Sequence, residues 1–430
     1  MTDDSAFDMI GQFLRMNLVL AKLLCVSFAL FASLIVPGRG ASGQDAPFSV
    51  PLGLEDTVEF WKQIFTRYGF GEVVLFDPVN PSKIYSVLRV PDSDQGRAMV
   101  EKERSRIVAE YDLVDDEARI RSQRGAKEHF LEGLRVSGRY MGQMRKIFRD
   151  QGLPAELAYL PLVESSFNIR ARSSVGALGM WQFMPETGKK FMRIDATVDE
   201  RRDPMASTRG AARLLKENYR ILGNWPLAIT AYNHGTEGIL RGIKIVESGN
   251  LVDLIRRYQA PTFGFASKNF YAEFLAVVDI ATNRDVHFPY LRTHRPVVLR
   301  EVEMKRQAPL HAVLKPAAIS QTEFFEWNPA LEPKSKFLPV GYRVKLPADK
   351  VDEFLVAQKR ANMTPAAKKS AALSKRPAAQ ASIPERSSAG TIKTRGVTRA
   401  VSSTAATTKA KTSPGKRTPA VRPSLKLASR

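Results

Sequence analysis

The chain has 430 residues, room for roughly two or three domains, and its 44% apolar and 25% charged composition is ordinary for a globular protein. A single cysteine, Cys25, excludes an internal disulfide framework and leaves no cysteine set with zinc-ligand spacing. The net charge of +21 is uneven: residues 359–430 hold 17 Lys and Arg against one acid, Glu385, so this tail carries 17 − 1 = +16 and the rest about +5.

Leu23 to Val36 is a 14-residue uncharged stretch ended by Pro37. Its length suits the apolar region of a signal peptide better than a full membrane span, and Ala41-Ser42-Gly43 offers a small-residue cleavage point. Three aspartates precede Met16, so a start at Met16 and an uncleaved anchor both stay open. A lipoprotein reading of Cys25 is weak, because Leu23 and Leu24 stand where small residues are usual. Residues 1–43 are therefore expected to export the chain to the periplasm or cell envelope, as a signal peptide or a membrane anchor.

Residues 50–125 form an accessory region. A helical start, "LEDTVEFWKQIFTRYGF", precedes two strand-like pieces, "EVVLF" and "IYSVLRV", with breaks at "DPVNP" and "PDSDQG". From about Ala98 to Phe148 the pattern is helical, with Phe130, Leu134, Met141, Met144 and Phe148 on one face. Gly152 and Pro154 stop it. Residues 126–290 then read as short helices joined by glycine turns. Asp203-Pro204 is a cap followed by proline at the first helical position, opening a helix with Ala211, Leu214, Leu215 and Tyr219 inward. Trp225-Pro226 opens another that Gly235 ends, and "SKNFYAEFLAVVDIA" is a further apolar helix. Residues 295–350 carry a strand, a helix and a closing strand ("VVLREVEM", "SQTEFFEWNPAL", "GYRVKLPA"). From residue 356 to 430, Ala, Lys, Ser, Thr and Pro dominate; such a segment buries no core and is expected to be disordered.

One residue poses a chemical question. Leu157 to Val163 is seven residues of apolar, aromatic or proline character, and Glu164 follows at once. A carboxyl pressed against apolar neighbours keeps its proton more readily, and a glycosidic oxygen needs that from a general acid. Alone, such a glutamate is more often a structural, paired residue. Three later stretches weigh against that reading. In "SSVGALGMWQF", Gly176 and Gly179 permit close backbone approach, Met180, Trp181 and Phe183 offer apolar faces to sugar rings, and Gln182 offers an amide. In "AITAYNHG", Tyr232 and Asn233 end a helix, and in "SKNFYAEFL" Phe270 and Tyr271 are adjacent. Each has a bland alternative: a packed tryptophan turn, a helix capped by Asn and Gly, a core helix.

Together these resemble the lytic murein transglycosylases, especially the membrane-bound D type with a goose-type-lysozyme-like catalytic domain. The shared pattern is Glu164-Ser165, Gly176-Ala177-Leu178-Gly179-Met180-Trp181-Gln182, Ala231-Tyr232-Asn233-His234-Gly235 and a late tyrosine, in order over residues 154–285. The late tyrosine falls at Phe270, with Tyr271 one place and about 100° on. The resemblance implies a mainly α, lysozyme-like catalytic domain with a small α+β C-terminal module. It implies cleavage of the bond between N-acetylmuramic acid and N-acetylglucosamine of peptidoglycan, without water and without metal or cofactor. Glu164 would be acid and then base, leaving a 1,6-anhydro end, with no second catalytic carboxylate. Ser165, Gly179, Met180, Trp181, Gln182, Tyr232, Asn233 and Tyr271 would bind or orient substrate. Other carboxylates lie nearby, Glu156, Glu186, Asp199, Glu200 and Asp203, and the "DERRDP" stretch that holds the last three fits a structural turn and cap better than a catalytic base.

Segment 295–347 resembles a degenerate LysM-type glycan-binding module, with "KRQAPLHAV" where its usual entry motif would stand. The rival readings are a hydrolytic muramidase on the same fold, which needs a second carboxylate for water, and an inactive wall-binding scaffold. The basic tail suits anionic envelope polymers. The export segment argues against nucleic acid.

Overall fold

The computed structural model describes residues 47–114 and 116–362; Cys25, the export segment and tail residues 363–430 lie outside them. The described residues from Val50 to Asn362 fall in one compact unit.

The accessory region follows the sequence pattern. Helix α1 (Glu55–Thr66) buries Val58, Phe60, Trp61, Ile64 and Phe65. Strands β1 (Glu72–Phe76) and β2 (Ile84–Arg89) pair antiparallel, with Glu72 opposite Arg89 and a bulge at Leu75/Phe76. Strand β3 (Arg121–Arg124) adds to the other side of β1, giving the order β2-β1-β3. Helix α2 (Asp94–Glu110) covers the sheet, where Ile107 meets Val73, Leu75, Val90 and Ile120.

The helix expected to run unbroken to Phe148 is interrupted. Helix α3 (Lys127–Ser137) and helix α4 (Met141–Asp150) are separate. At the break, the amide of His294 donates to the Arg135 carbonyl at 2.8 Å and that of Val297 to the Arg139 carbonyl at 3.1 Å. A Cβ on Gly138 would come within 2.5 Å of the His294 carbonyl oxygen, so glycine lets the later chain cross here. The expected face survives as Phe130 and Leu134 on one helix and Met144 and Phe148 on the other.

A 3-10 turn (Ala155–Tyr159) runs into the short helix α5 (Leu160–Ser165), all six residues of which are buried. Helix α6 (Pro185–Lys189) follows. Asp203 caps helix α7 (Pro204–Leu222), accepting from the amides of Met205 and Ala206 at 3.0 and 2.8 Å. Ala211 and Leu215 are buried as expected, but Tyr219 is 40% exposed and stacks on Trp225 with ring centroids 4.4 Å apart; Ala212 and Asn218 take the inward places. Helices α8 (Trp225–His234), α9 (Thr236–Val246) and α10 (Leu251–Arg257) lead to α11 (Phe265–Thr282), the long apolar helix of the domain, and the short α12 (Arg284–His287). Helix α11 packs against α1, α5 and α8. The Trp61 indole donates to the Asn269 amide oxygen at 2.9 Å, and Lys62 pairs with Asp279 at 2.8 Å, which ties the accessory region to this core.

The C-terminal module pairs β4 (Arg300–Glu303) antiparallel with β7 (Arg343–Leu346), and β5 (Ala308–Pro309) with β6 (Phe337–Leu338). Between them lie α13 (Leu310–Leu314) and α14 (Gln321–Trp327), the latter opened by a Ser320/Glu323 capping box. Residues 356–361, expected to begin the tail, instead complete helix α15 (Val351–Ala361), which buries Phe354 and Ala357 in the module core. The module is seated on residues 197–199. Val198 lies in its apolar core, and the Asp199 and Glu332 amides donate across the seam to Ala330 and Thr197 carbonyls at 2.7 and 3.0 Å.

Candidate active site

Glu164 ends the apolar run on α5 at 5% exposure. Pro161 at the start of that helix gives up an amide that has no helical partner there. The helix cannot continue past Ser165, because Ser166 and Phe167 adopt left-handed backbone at φ 50° and 58°. Two successive non-glycine residues in that region store strain, and such strain persists only where packing fixes it. Here Phe167 is buried, its amide bonds the Pro161 carbonyl at 3.1 Å, and Gly133 of α3 presses on the Ser166 backbone. The turn thereby holds the Glu164-Ser165 pair at the end of a rigid post.

The four short motifs form one connected knot. The Ser165 hydroxyl donates to the Met180 carbonyl at 2.8 Å, and the Tyr232 hydroxyl donates to the next carbonyl, Trp181, also at 2.8 Å. The Trp181 indole donates to the Thr208 hydroxyl at 2.9 Å. The loop itself turns at Gly179, φ 74°, where a Cβ would overlap the Arg201 carbonyl, and at Gln182, φ 47°. Gln182 donates from its amide nitrogen to the Gly179 and Ala171 carbonyls at 2.7 and 3.3 Å. Asn233 accepts from the Ser267 hydroxyl at 2.9 Å, which links the third motif to α11. The Phe270 ring lies parallel to Tyr232, centroids 6.5 Å apart.

Several expected substrate contacts are corrected by this geometry. Met180, Trp181 and Phe183 are fully buried core side chains, so they are not exposed platforms for sugar rings. The reason is local: their carbonyl and indole groups are the points where Ser165, Tyr232 and Thr208 anchor the loop. The Gln182 amide nitrogen is likewise used within its own loop. Both Phe270 and Tyr271 are buried; Phe270 faces Tyr232, while Tyr271 lies 6.4 Å from Phe274 and its phenol is pushed up by burial. Asn233 is buried with its amide nitrogen lacking a hydrogen-bond partner among the described residues, a donor at the edge of the knot.

Sequence reasoning missed Glu273. It sits on α11, the helix that packs on α5, at 6% exposure. Burial first, and then the charge of Glu164, push its carboxyl up to about 8. Glu273 is therefore neutral at pH 7, and it lies within the field of Glu164. The available sign was a single carboxylate inside the apolar run "NFYAEFLAVV" of that helix.

Residues 145–250 match the transglycosylase SLT domain family. This stretch of the chain is similar to SLT domains. The match spans Glu164, the glycine loop and the Tyr232-Asn233 stretch, so the geometric knot and the family segment coincide, apart from α11. The chain is 37% identical over 105 residues to membrane-bound lytic murein transglycosylase D of Escherichia coli strain K12, which is 24% of this chain and 22% of that protein. It is 37% identical over 91 residues to a transglycosylase of Enterobacteria phage PRD1, 21% of this chain and 32% of that one. Among solved structures, the lytic transglycosylase Slt of Pseudomonas aeruginosa aligns with a TM-score of 0.29 at 23% identity, over 34% of this chain and 24% of that chain. The chain thus spans about a fifth of the length of the E. coli relative, and the SLT domain is the shared part.

Proposed function

We propose that the SLT domain cleaves the β-1,4 bond between N-acetylmuramic acid and N-acetylglucosamine in peptidoglycan without using water. The carrying observation is the buried carboxyl of Glu164, held by a strained turn beside Ser165, whose hydroxyl anchors the glycine loop. Glu164 protonates the glycosidic oxygen as the bond to the anomeric carbon breaks. The substrate's own N-acetyl group meets the positive charge at that carbon. The Glu164 carboxylate then takes the proton of the C6 hydroxyl, whose oxygen closes on the anomeric carbon and leaves a 1,6-anhydro ring. Proton, leaving group and ring oxygen balance with no added reagent.

In this scheme Ser165 and Tyr232 are positioning residues. They hold the carbonyls of Met180 and Trp181, and so fix the glycine loop next to the helix that carries Glu164. Asn233, whose amide nitrogen is free to donate, is the motif residue best suited to a substrate oxygen.

The hydrolytic rival needs a second carboxylate that is ionised and can activate water. Glu273 is the second carboxyl near Glu164, but burial, the larger cause of its raised value, disfavours the ionised form that a base for water would need. This favours the anhydro route. Analysis of the products from purified sacculi tests the proposal: anhydro ends support it, reducing ends overturn it.

The seated C-terminal module, with its paired outer strands and two short helices between, is read as a glycan-holding element of LysM type. The N-terminal segment is read as an export signal or anchor, and the basic tail as a contact to anionic envelope polymers; both lie outside the described residues.

A further inference from the structure

A cavity of about 590 Å³ opens where the SLT domain, the linker after α12 and the C-terminal module meet. None of Glu164, Gly179, Gln182, Tyr232 or Asn233 lines it, so it is distinct from the candidate catalytic site. Its volume is that of a small-ligand site. Arg139 and Tyr140 line it from the break between α3 and α4, His294 and Arg295 from the linker, and Glu326 and Trp327 from the end of α14. Ile169, five residues past Glu164, also reaches it, so the cavity and the catalytic post share one stretch of chain.

The chemistry of the lining is mixed in an informative way. Lys345 is neutralised by Asp203, 2.7 Å away, and by Glu301 at 3.9 Å. Arg139 and Arg295 are exposed and form no ion pair among the described residues. The half-buried Trp327 and Tyr140 offer amphipathic ring surface. His294 keeps a buried ring nitrogen, Nδ1, with no hydrogen-bond partner among the described residues. The walls are fixed: the Gln143 amide holds the Val297 carbonyl at 3.0 Å, and the Lys345–Asp203 pair spans from the module to the start of α7. A rigid pocket with aromatic surface, the exposed guanidinium of Arg295, that of Arg139 beside the Tyr140 hydroxyl it bonds, and an orphaned ring nitrogen fits a ligand with an apolar ring face and at least one carboxylate. Guanidinium selects carboxylate through paired, charge-assisted hydrogen bonds.

We propose that this cavity is a second, non-catalytic subsite for a carboxylate-bearing saccharide of the wall, a muramic acid unit or its acidic peptide stem. Its pyranose ring lies on Trp327 and Tyr140, and its carboxylate meets Arg139 and Arg295. The subsite rests on the peptidoglycan reading above. It would hold the strand beside the cutting site and make the module a working part of the enzyme.

The test is calorimetric binding to the full chain carrying Glu164→Gln, with two probes: a disaccharide-peptide from peptidoglycan and a neutral N-acetylglucosamine tetramer. The expected result is tighter binding of the acidic probe. Arg139→Ala with Arg295→Ala should weaken it about tenfold, the loss of roughly one charge-assisted hydrogen bond, and leave the neutral probe unchanged. Trp327→Phe, which keeps the packing of α14, should retain the preference for the acidic probe, and quenching of Trp327 fluorescence should report occupancy. On an otherwise wild-type chain, the arginine variants should cut a short soluble glycan at the normal rate and slow only on sacculi. Equal binding of both probes, or acidic binding indifferent to the arginines, overturns the subsite. A failure of the reaction scheme is separable: the product analysis can fail while arginine-dependent binding stands, and the reverse.

Discussion

The Tyr232 hydroxyl lies 2.8 Å from the Trp181 carbonyl, and the Ser165 hydroxyl lies 2.8 Å from the carbonyl one residue earlier, so two helices pin adjacent peptide units of the glycine loop. Tyr232→Phe keeps the ring stacking and strands a buried carbonyl. It should lower stability by about 1–3 kcal/mol, read as a lower denaturant midpoint. It should also lower kcat more than it raises KM, because the residue shapes the site rather than holding the chain of sugars. An unchanged midpoint with unchanged kcat would remove Tyr232 from the scaffold.

Two glycines of the same loop separate strain from crowding. Gly176, φ 91°, has nothing within 4 Å of a built Cβ, whereas at Gly179, φ 74°, a Cβ meets the Arg201 carbonyl. Gly176→Ala should cost about 1–2 kcal/mol from backbone conformation alone. Gly179→Ala should cost clearly more, since backbone must move to admit it, and should abolish activity. Thermal melts of both variants check the order; equal losses would contradict the close approach.

Glu273 gives stability a characteristic pH dependence. Its carboxyl is raised from 4.5 in the unfolded chain to about 8 in the fold. Between these values the folded protein keeps a proton that the unfolded chain has lost, so this group's contribution to stability falls as pH rises through that window, by up to about 1.4 kcal/mol per pH unit. It is constant below about 4.5 and above about 8. Glu273→Gln stays neutral throughout and should flatten that slope. At pH 7 it should leave the anhydro product unchanged, because the native residue is already neutral there. A variant with the wild-type slope would show that Glu273 is not the group involved.

The pair Lys345–Asp203 fastens the module to the start of α7, with both side chains buried. Lys345→Met leaves the Asp203 carboxylate without its buried cation, so the variant should lose about 3–5 kcal/mol. Restoring neutrality with Lys345→Met plus Asp203→Asn should recover part of that loss in equilibrium unfolding. If the single variant melts like the wild type, the seam is not held by this pair.

The helices of the SLT domain were legible because their punctuation is local: Asp203-Pro204 caps α7, Gly235 ends α8, and the apolar face of α11 is continuous. The helix break at Gly138 was not, because its cause is the passage of residues 294–297, more than 150 positions away in sequence. Tyr219 looked inward by spacing, yet Trp225 gives it a partner on the surface. The motif residues were found, but their burial was not. A tryptophan in a glycine turn reads the same whether its ring faces a ligand or Thr208. Glu273 stayed hidden because what makes it notable is a neighbour on another helix.

The most direct test digests purified sacculi with the full chain and identifies the new glycan ends by mass spectrometry, beside Glu164→Gln. Glutamine keeps the shape of Glu164 and cannot carry the proton. The account predicts muropeptides ending in 1,6-anhydro-muramic acid with the wild type and no cutting with Glu164→Gln, which should still bind the strand. Reducing-end muramic acid as the main product, or a Glu164→Gln variant within about threefold of wild-type rate, less than 1 kcal/mol of transition-state stabilisation, would contradict it.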